Sequence, residues 1–146
     1  MSGLDDSQPY ILVADDDPLM IRSLRIILRN TGLQVVGVPD GAAALQQIRS
    51  HKPLIAILDV MMARMNGLDL CRVIKSDETL RDVKVFLLTA RAMPSERQQG
   101  MDAGADAYIT KPFANADLVM QVRNALGSPA PALPSVPDSA PGTSKP

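Results

Sequence analysis

At 146 residues the chain has room for one core domain of ordinary size and too little left for a second. Hydrophobic residues make up 46% and charged residues 21%, so a well-buried core is expected and disorder of the whole is excluded. With 15 basic against 16 acidic residues the net charge is −1, and no basic stripe suited to a nucleic-acid duplex stands out, so direct DNA binding is not expected.

Residues 1–8 are polar and lack the basic start and apolar run of an export signal, and no stretch reaches the roughly 18 apolar residues of a membrane span. The single cysteine, Cys71, has no partner for an internal disulfide, which fits a reducing, cytoplasmic location. From residue 9 onward short apolar runs alternate with helical patterns. Residues 10–14 form a continuous apolar run, followed by Asp17 as a helix cap and Pro18 at a first helical position. Met20, Leu24, Ile27 and Leu28 then recur at helical spacing until Gly32. Residues 35–38 read as a short outer strand, and Asp40 caps a second helix reaching residue 49. His51 falls in a polar turn and reads as a surface residue.

A second continuous apolar run covers residues 54–58, and Leu68, Cys71 and Ile74 mark the inward face of a third helix that fades near Ser76. Residues 85–88 give a third such run. A fourth helix, from about residue 94 to 103, is the least apolar and ends at Gly104; residues 107–109 read as a second outer strand. A fifth helix over residues 115–126 presents Leu118, Val122 and Leu126. Strands covered on both faces lose their polar alternation, so the three continuous runs are the inner strands of a parallel sheet. The fold class is therefore α/β, a flavodoxin-like (βα)5 doubly wound parallel sheet of five strands. After Gly127 the last 19 residues hold six of the 12 prolines and only Leu133 and Val136 as larger apolar groups. The expected organisation is a short extension at residues 1–8, a domain at 9–127 and a flexible tail or linker at 128–146.

Ligands of such sheets bind beyond the carboxyl ends of the strands, so the residues that follow each run carry the chemistry. Asp15, Asp16 and Asp17 follow the first, Asp59 the third, Thr89 the fourth, and Lys111 with Pro112 the fifth. Carboxylates crowded on one rim resist joint ionisation unless a cation lies among them. Oxygen donors without histidine or cysteine suit a hard ion, Mg²⁺. That ion offsets charge when a carboxylate attacks phosphorus, which makes Asp59 the natural nucleophile. Lys111 supplies a cation and Thr89 a hydroxyl for phosphoryl oxygens, and Pro112 permits a cis bond that aims the lysine inward. Taken singly, each acid could be a helix cap or a solvated strand end; Asp17 is read as the cap.

The four segments ILVADDDP, ILDVMMARMNG, LLTAR and AYITKPF, in this order, resemble the receiver domains of bacterial two-component response regulators, of the kind found in chemotaxis regulators. The resemblance spans residues 9–127. It implies Asp15, Asp16, Asp59 and the backbone carbonyl of Met61 as Mg²⁺ ligands, with Asp59 as phosphoacceptor. It implies Thr89 and Lys111 as the phosphate-sensing pair, Tyr108 with Thr89 as the switch, and the fourth helix, fifth strand and fifth helix as the readout face. Met61 and Arg91 match positions flanking the path of the hydrolytic water, where long side chains are expected to shield an acyl phosphate. The implied partners are a sensor histidine kinase or phosphotransfer protein and a downstream effector, with a weak dimer possible. Such a domain catalyses only its own phosphorylation and dephosphorylation and is not an enzyme in the usual sense.

Other readings are separable. A haloacid-dehalogenase-like phosphatase needs a second aspartate two residues after its nucleophile, where this chain has Met61. A flavodoxin needs a hydroxyl- or glycine-rich loop after the first strand, where three aspartates would repel the flavin phosphate. A phosphorylation-independent binding module, or a receiver cut from a larger regulator with a DNA-binding or nucleotide-cyclase effector, stays open.

Overall fold

The computed structural model describes residues 8–90 and 93–127. Five strands, β1 (Tyr10–Ala14), β2 (Gln34–Val38), β3 (Ile55–Asp59), β4 (Lys84–Thr89) and β5 (Ala107–Thr110), alternate with five helices. The helices are α1 (Pro18–Leu28), α2 (Gly41–Ser50), α3 (Gly67–Ser76), α4 (Pro94–Asp102) and α5 (Asn115–Ala125). All strand pairs are parallel, in the order β2-β1-β3-β4-β5. The chain turns back on itself beside β1, so a crevice opens between β1 and β3 at their carboxyl ends.

The apolar inner strands bury both faces because alternate residues feed two cores. Leu12, Leu58, Val85 and Leu87 meet Ile48 of α2 and Cys71 and Ile74 of α3. Val13, Ile57, Phe86 and Leu88 meet Leu24 and Leu28 of α1 and Leu118 and Val122 of α5. Each aliphatic side chain so buried stabilises the fold by about 1.5–3 kcal/mol. Strand β2, at the edge, is only half-buried along its length. No helix among the described residues is long and apolar enough to cross a membrane.

Several details differ from expectation. Helix α3 buries Gly67, Leu70, Cys71 and Ile74, while Leu68 is half-buried at the core's margin. Positions 67, 70, 71 and 74 make one helical stripe, and Leu68 sits about 200° around the axis from Leu70. Leu126 lies one residue beyond α5 and is half-buried. Helix α1 tightens into a 3-10 turn at Arg29–Thr31 before Gly32, whose φ of 79° closes it. His51 is not a plain surface residue. Its ring packs on Tyr10 with centroids 4.8 Å apart, its buried Nδ1 has no partner, and its carbonyl accepts from the Tyr10 hydroxyl.

The β3–α3 connection is clamped against α2. A methyl group added at Gly41 would lie 2.0 Å from the Met65 carbonyl oxygen, so backbone must move to admit any side chain. Gly41→Ala is expected to lower unfolding free energy by about 2 kcal/mol or more, against a gain of a few tenths for Gly→Ala at an unhindered site, as read by urea denaturation.

Candidate functional site

Asp15 continues β1, Asp59 closes β3, and Lys111 follows β5. By strand alternation they share the parity of Val13, Ile57 and Ile109, whose side chains pack in the layer of α1 and α5. Thr89 shares the parity of Leu87, in the opposite layer, where Tyr108 also packs. The sheet thus divides the predicted residues into two groups.

The first group converges. The Lys111 ammonium lies 3.3 Å from Asp15 Oδ2 and 3.7 Å from Asp59 Oδ1. Oxygens of Asp15, Asp16 and Asp59 all lie within 4.8 Å of one another. Asp15 and Asp59 are buried and Asp16 is exposed at the mouth. Backbone amides fix the two buried carboxylates, with Asp17 N–H donating to Asp15 Oδ1 at 2.9 Å and Met61 N–H donating to Asp59 Oδ1 at 3.2 Å. Asp17 itself accepts from Leu19 N–H at 2.9 Å and caps α1, as its place before Pro18 predicts. The Lys111–Pro112 bond is cis.

Burial, first, and then the Asp15 charge push the Asp59 carboxyl up to about 6, with a smaller push from Asp16. Lys111 and the Met61 amide pull it the other way without cancelling the rise. One ammonium is therefore insufficient for this crowd of carboxylates. The donors are all oxygen, two of them buried and one at the mouth, which fits a hard divalent cation entering from solvent.

The second group lies behind. Thr89 is buried at the end of β4, and Tyr108 is nine-tenths buried on β5 with its ring edge against Gly100 of α4. The Arg97 guanidinium stands 5.9 Å from the Tyr108 ring centre. Met61 projects its side chain into solvent at 63% exposure, beside the carboxylates, while Arg91 lies outside the described residues.

Sequence reasoning missed the glycine that makes the rim compact. A side chain at Gly67 would start 2.6 Å from the Asp59 carbonyl oxygen, and Gly67 N–H donates to Val60 O at 3.1 Å. Asn66 caps α3 through Asp69 N–H at 2.8 Å, so the Asn66–Gly67 pair was the available signal. Arg64, at φ 73°, carries the loop through the left-handed region. Also unanticipated are Arg22, Arg25 and Arg29, which line one groove along the outside of α1 with Gly37 at its floor.

Comparisons with known proteins agree with this geometry. The family description "Response regulator receiver domain" matches residues 11–123. The chain is 38% identical over 120 residues to the DNA-binding response regulator MtrA of Mycolicibacterium smegmatis, covering 82% of this chain and 51% of that protein. It is 44% identical over 121 residues to the response regulator MprA of a Mycobacterium species, covering 83% and 52%. The chain spans about half the length of these curated relatives. Among solved structures, a putative response regulator from Chloroflexus aurantiacus superposes with TM-score 0.76 at 33% identity, over 82% of this chain and 99% of that one. The receiver domain of a Pseudomonas aeruginosa sensor histidine kinase, with a magnesium ion coordinated in its active-site cleft, superposes with TM-score 0.75 at 28% identity, over 84% and 100%. Five parallel strands, a carboxylate cluster at their ends and a matching family description over most of its length make this chain a member of the response-regulator receiver family, the phosphoryl-accepting modules of two-component signalling.

Proposed function

We propose that Asp59 is the phosphoacceptor, taking a phosphoryl group from a partner histidine kinase or phosphotransfer protein in the cytoplasm. The observation that carries this reading is the convergence of Asp15, Asp16, Asp59 and Lys111 at the carboxyl ends of β1, β3 and β5. Asp15, Asp16, Asp59 and the Met61 carbonyl would hold Mg²⁺, which would supply positive charge to offset that of the phosphoryl oxygens.

The chain's own groups do the rest. An Asp59 carboxylate oxygen forms the new bond to phosphorus as the donor's bond breaks, while the Met61 amide orients the carboxylate through Oδ1. Lys111 moves from its two carboxylate partners toward the arriving phosphoryl oxygens, which carry more charge than either. The Thr89 hydroxyl turns to the same oxygens and Tyr108, in the layer Thr89 shares, registers the change. The readout face is α4, β5 and α5. Met61, exposed two residues after Asp59, is the side chain available to shield the acyl phosphate from water. The domain turns over no separate substrate and catalyses only its own phosphorylation and dephosphorylation.

Residues 9–127 constitute the receiver, with residues 1–8 as an extension and 128–146 as a tail or linker; 1–7 and 128–146 lie outside the described residues. A second reading, a receiver from a larger regulator with its own effector domain, is favoured by relatives about twice as long, one of them named as DNA-binding.

The test is direct. Incubation with Mg²⁺ and acetyl phosphate is expected to add the mass of one phosphoryl group, with no gain in EDTA or in Asp59→Asn. A mass gain that survives Asp59→Asn would move the acceptor elsewhere. No gain under any condition would favour a phosphorylation-independent module.

A further inference from the structure

Helices α1 and α5 lie side by side on one layer of the core, into which they send Leu24, Leu28, Leu118 and Val122. Outside that layer they leave a groove of about 790 Å³, within the size range of small-molecule sites. Ile27 and Val119, both half-buried, form its floor, and Ile26 and Met120 stand along it at 55% and 59% exposure. The one charged lining residue is Arg123, half-buried and fixed by donating to the Asn30 carbonyl at 3.0 Å. That bond leaves most of the guanidinium N–H groups to spare, and among the described residues no carboxylate pairs with Arg123. Alongside, residues 18–31 hold three arginines and no acidic residue, so the surroundings of the groove favour an anion.

We propose that this groove binds a single-chain amphiphile bearing one carboxylate, its head on Arg123 and its hydrocarbon tail along Val119 toward Ala116. Charge sets the head. A guanidinium meets a carboxylate through two parallel hydrogen bonds, whereas a dianionic phosphate would keep a second charge beside an apolar floor. Chemistry of the floor sets the tail, because Ile27, Val119 and Ala116 offer contact to methylenes and no side-chain partner to a polar group. Length sets the size. Ala116 and Arg123 are seven residues apart on α5, about 10 Å of helix, which a tail of roughly eight carbons covers.

The groove shares no lining residue with the carboxylate rim, so a ligand there leaves Asp15, Asp16, Asp59 and Lys111 untouched. It spans the two helices that back the layer beneath that rim, and a bound tail ties one to the other. The claim depends on Arg123 and the α1–α5 surface and not on phosphorylation. It is therefore tested in metal-free, unphosphorylated protein, where a failure of Asp59 labelling has no bearing on the result.

The experiment titrates the full 146-residue chain in EDTA with hexanoate, octanoate and decanoate below their micelle concentrations, and with octanol and octylammonium, following backbone amide shifts by NMR. Saturable shifts are expected at Ile27, Asn30, Val119 and Arg123, with half-saturation near millimolar octanoate and about fourfold tighter binding for each two carbons added, the effect of methylenes buried on one side. Octanol is expected to bind about tenfold more weakly, the factor a charge-assisted hydrogen bond supplies, and octylammonium not to saturate. Arg123→Met is expected to bind octanoate and octanol alike. Met120→Glu changes a side chain that is 59% exposed, so it keeps the fold, and its added charge is expected to weaken octanoate at least fivefold. Melting temperatures confirm that both variants fold. Shifts that are absent, that map elsewhere, that ignore chain length, or that keep the carboxylate preference in Arg123→Met overturn the proposal. So do shifts of the same amides with protein concentration alone, which would make the groove a contact between two copies of the chain.

Discussion

Asp59→Asn should stabilise the metal-free protein at pH 7–8 by about 2–3 kcal/mol and remove most of its pH dependence between 4 and 6. The Asp59 carboxyl is held up to about 6 in the fold, whereas an aspartate in an unfolded chain titrates near 3.9. Below pH 3.9 both states are protonated and the site costs nothing. As pH rises to about 6 the unfolded chain loses its proton while the folded one keeps it, so stability falls, and above 6 the full cost stands. Asparagine has the same shape and no charge, and it still accepts from the Met61 amide through its side-chain oxygen. Urea unfolding in EDTA from pH 3.5 to 8 checks this. A wild-type curve that is flat from pH 4 to 7, or a variant no more stable at pH 8, would show that neither burial nor the neighbouring acids raise the Asp59 carboxyl. Mg²⁺ should then stabilise the wild type and much less the variant, because binding to the folded state alone raises stability.

Lys111→Met is expected to act in the opposite direction and on both stability and chemistry. The ammonium is the partner of Asp15, which is 1% exposed, and of Asp59 at 3.7 Å. Removing one member of a buried pair leaves the other charge uncompensated, a loss of about 3–5 kcal/mol at full burial. Lys111 keeps 20% of its side chain in solvent, so about 2–3 kcal/mol in EDTA at pH 7 is the better expectation. Mg²⁺ should recover much of it. Phosphorylation by acetyl phosphate in Mg²⁺ should slow by about a hundredfold, the usual effect of deleting one group that meets developing charge. A labelling rate within about threefold of wild type would remove Lys111 from the phosphoryl site and leave it a structural cation.

The strands were legible because each apolar run is short and punctuated by turn residues, and β1 falls on residues 10–14 as read. β3 and β4 extend one residue onto Asp59 and Thr89, polar residues that sequence patterning assigns to the loop although their backbones stay in the ladder. Asp15, Asp16, Asp59 and Lys111 were legible for a physical reason. Parallel strands bring all their carboxyl ends to one rim, so acids after different strands become neighbours. On α3 the reading of Leu68, Cys71 and Ile74 found the inward face, with Leu68 at its margin, but left out Leu70, which completes the buried stripe. The clamp at Gly41 and Gly67 was invisible, since a close backbone approach leaves no signature beyond the glycine itself. The His51–Tyr10 contact joins residues 41 apart across the opposite end of the sheet, which local pattern does not report.

The division of labour across the sheet carries a genetic consequence. Asp15, Asp59 and Lys111 rest on the layer packed by α1 and α5, whereas Thr89 and Tyr108 belong to the layer packed by α2, α3 and α4. Lesions near Val13 or Leu24 should therefore impair loading while sparing transmission, and lesions near Leu87 or Gly100 should yield molecules that load normally yet stay mute. Crossing the two classes would reveal β4, whose alternate residues serve both layers, as the strand where the phenotypes meet.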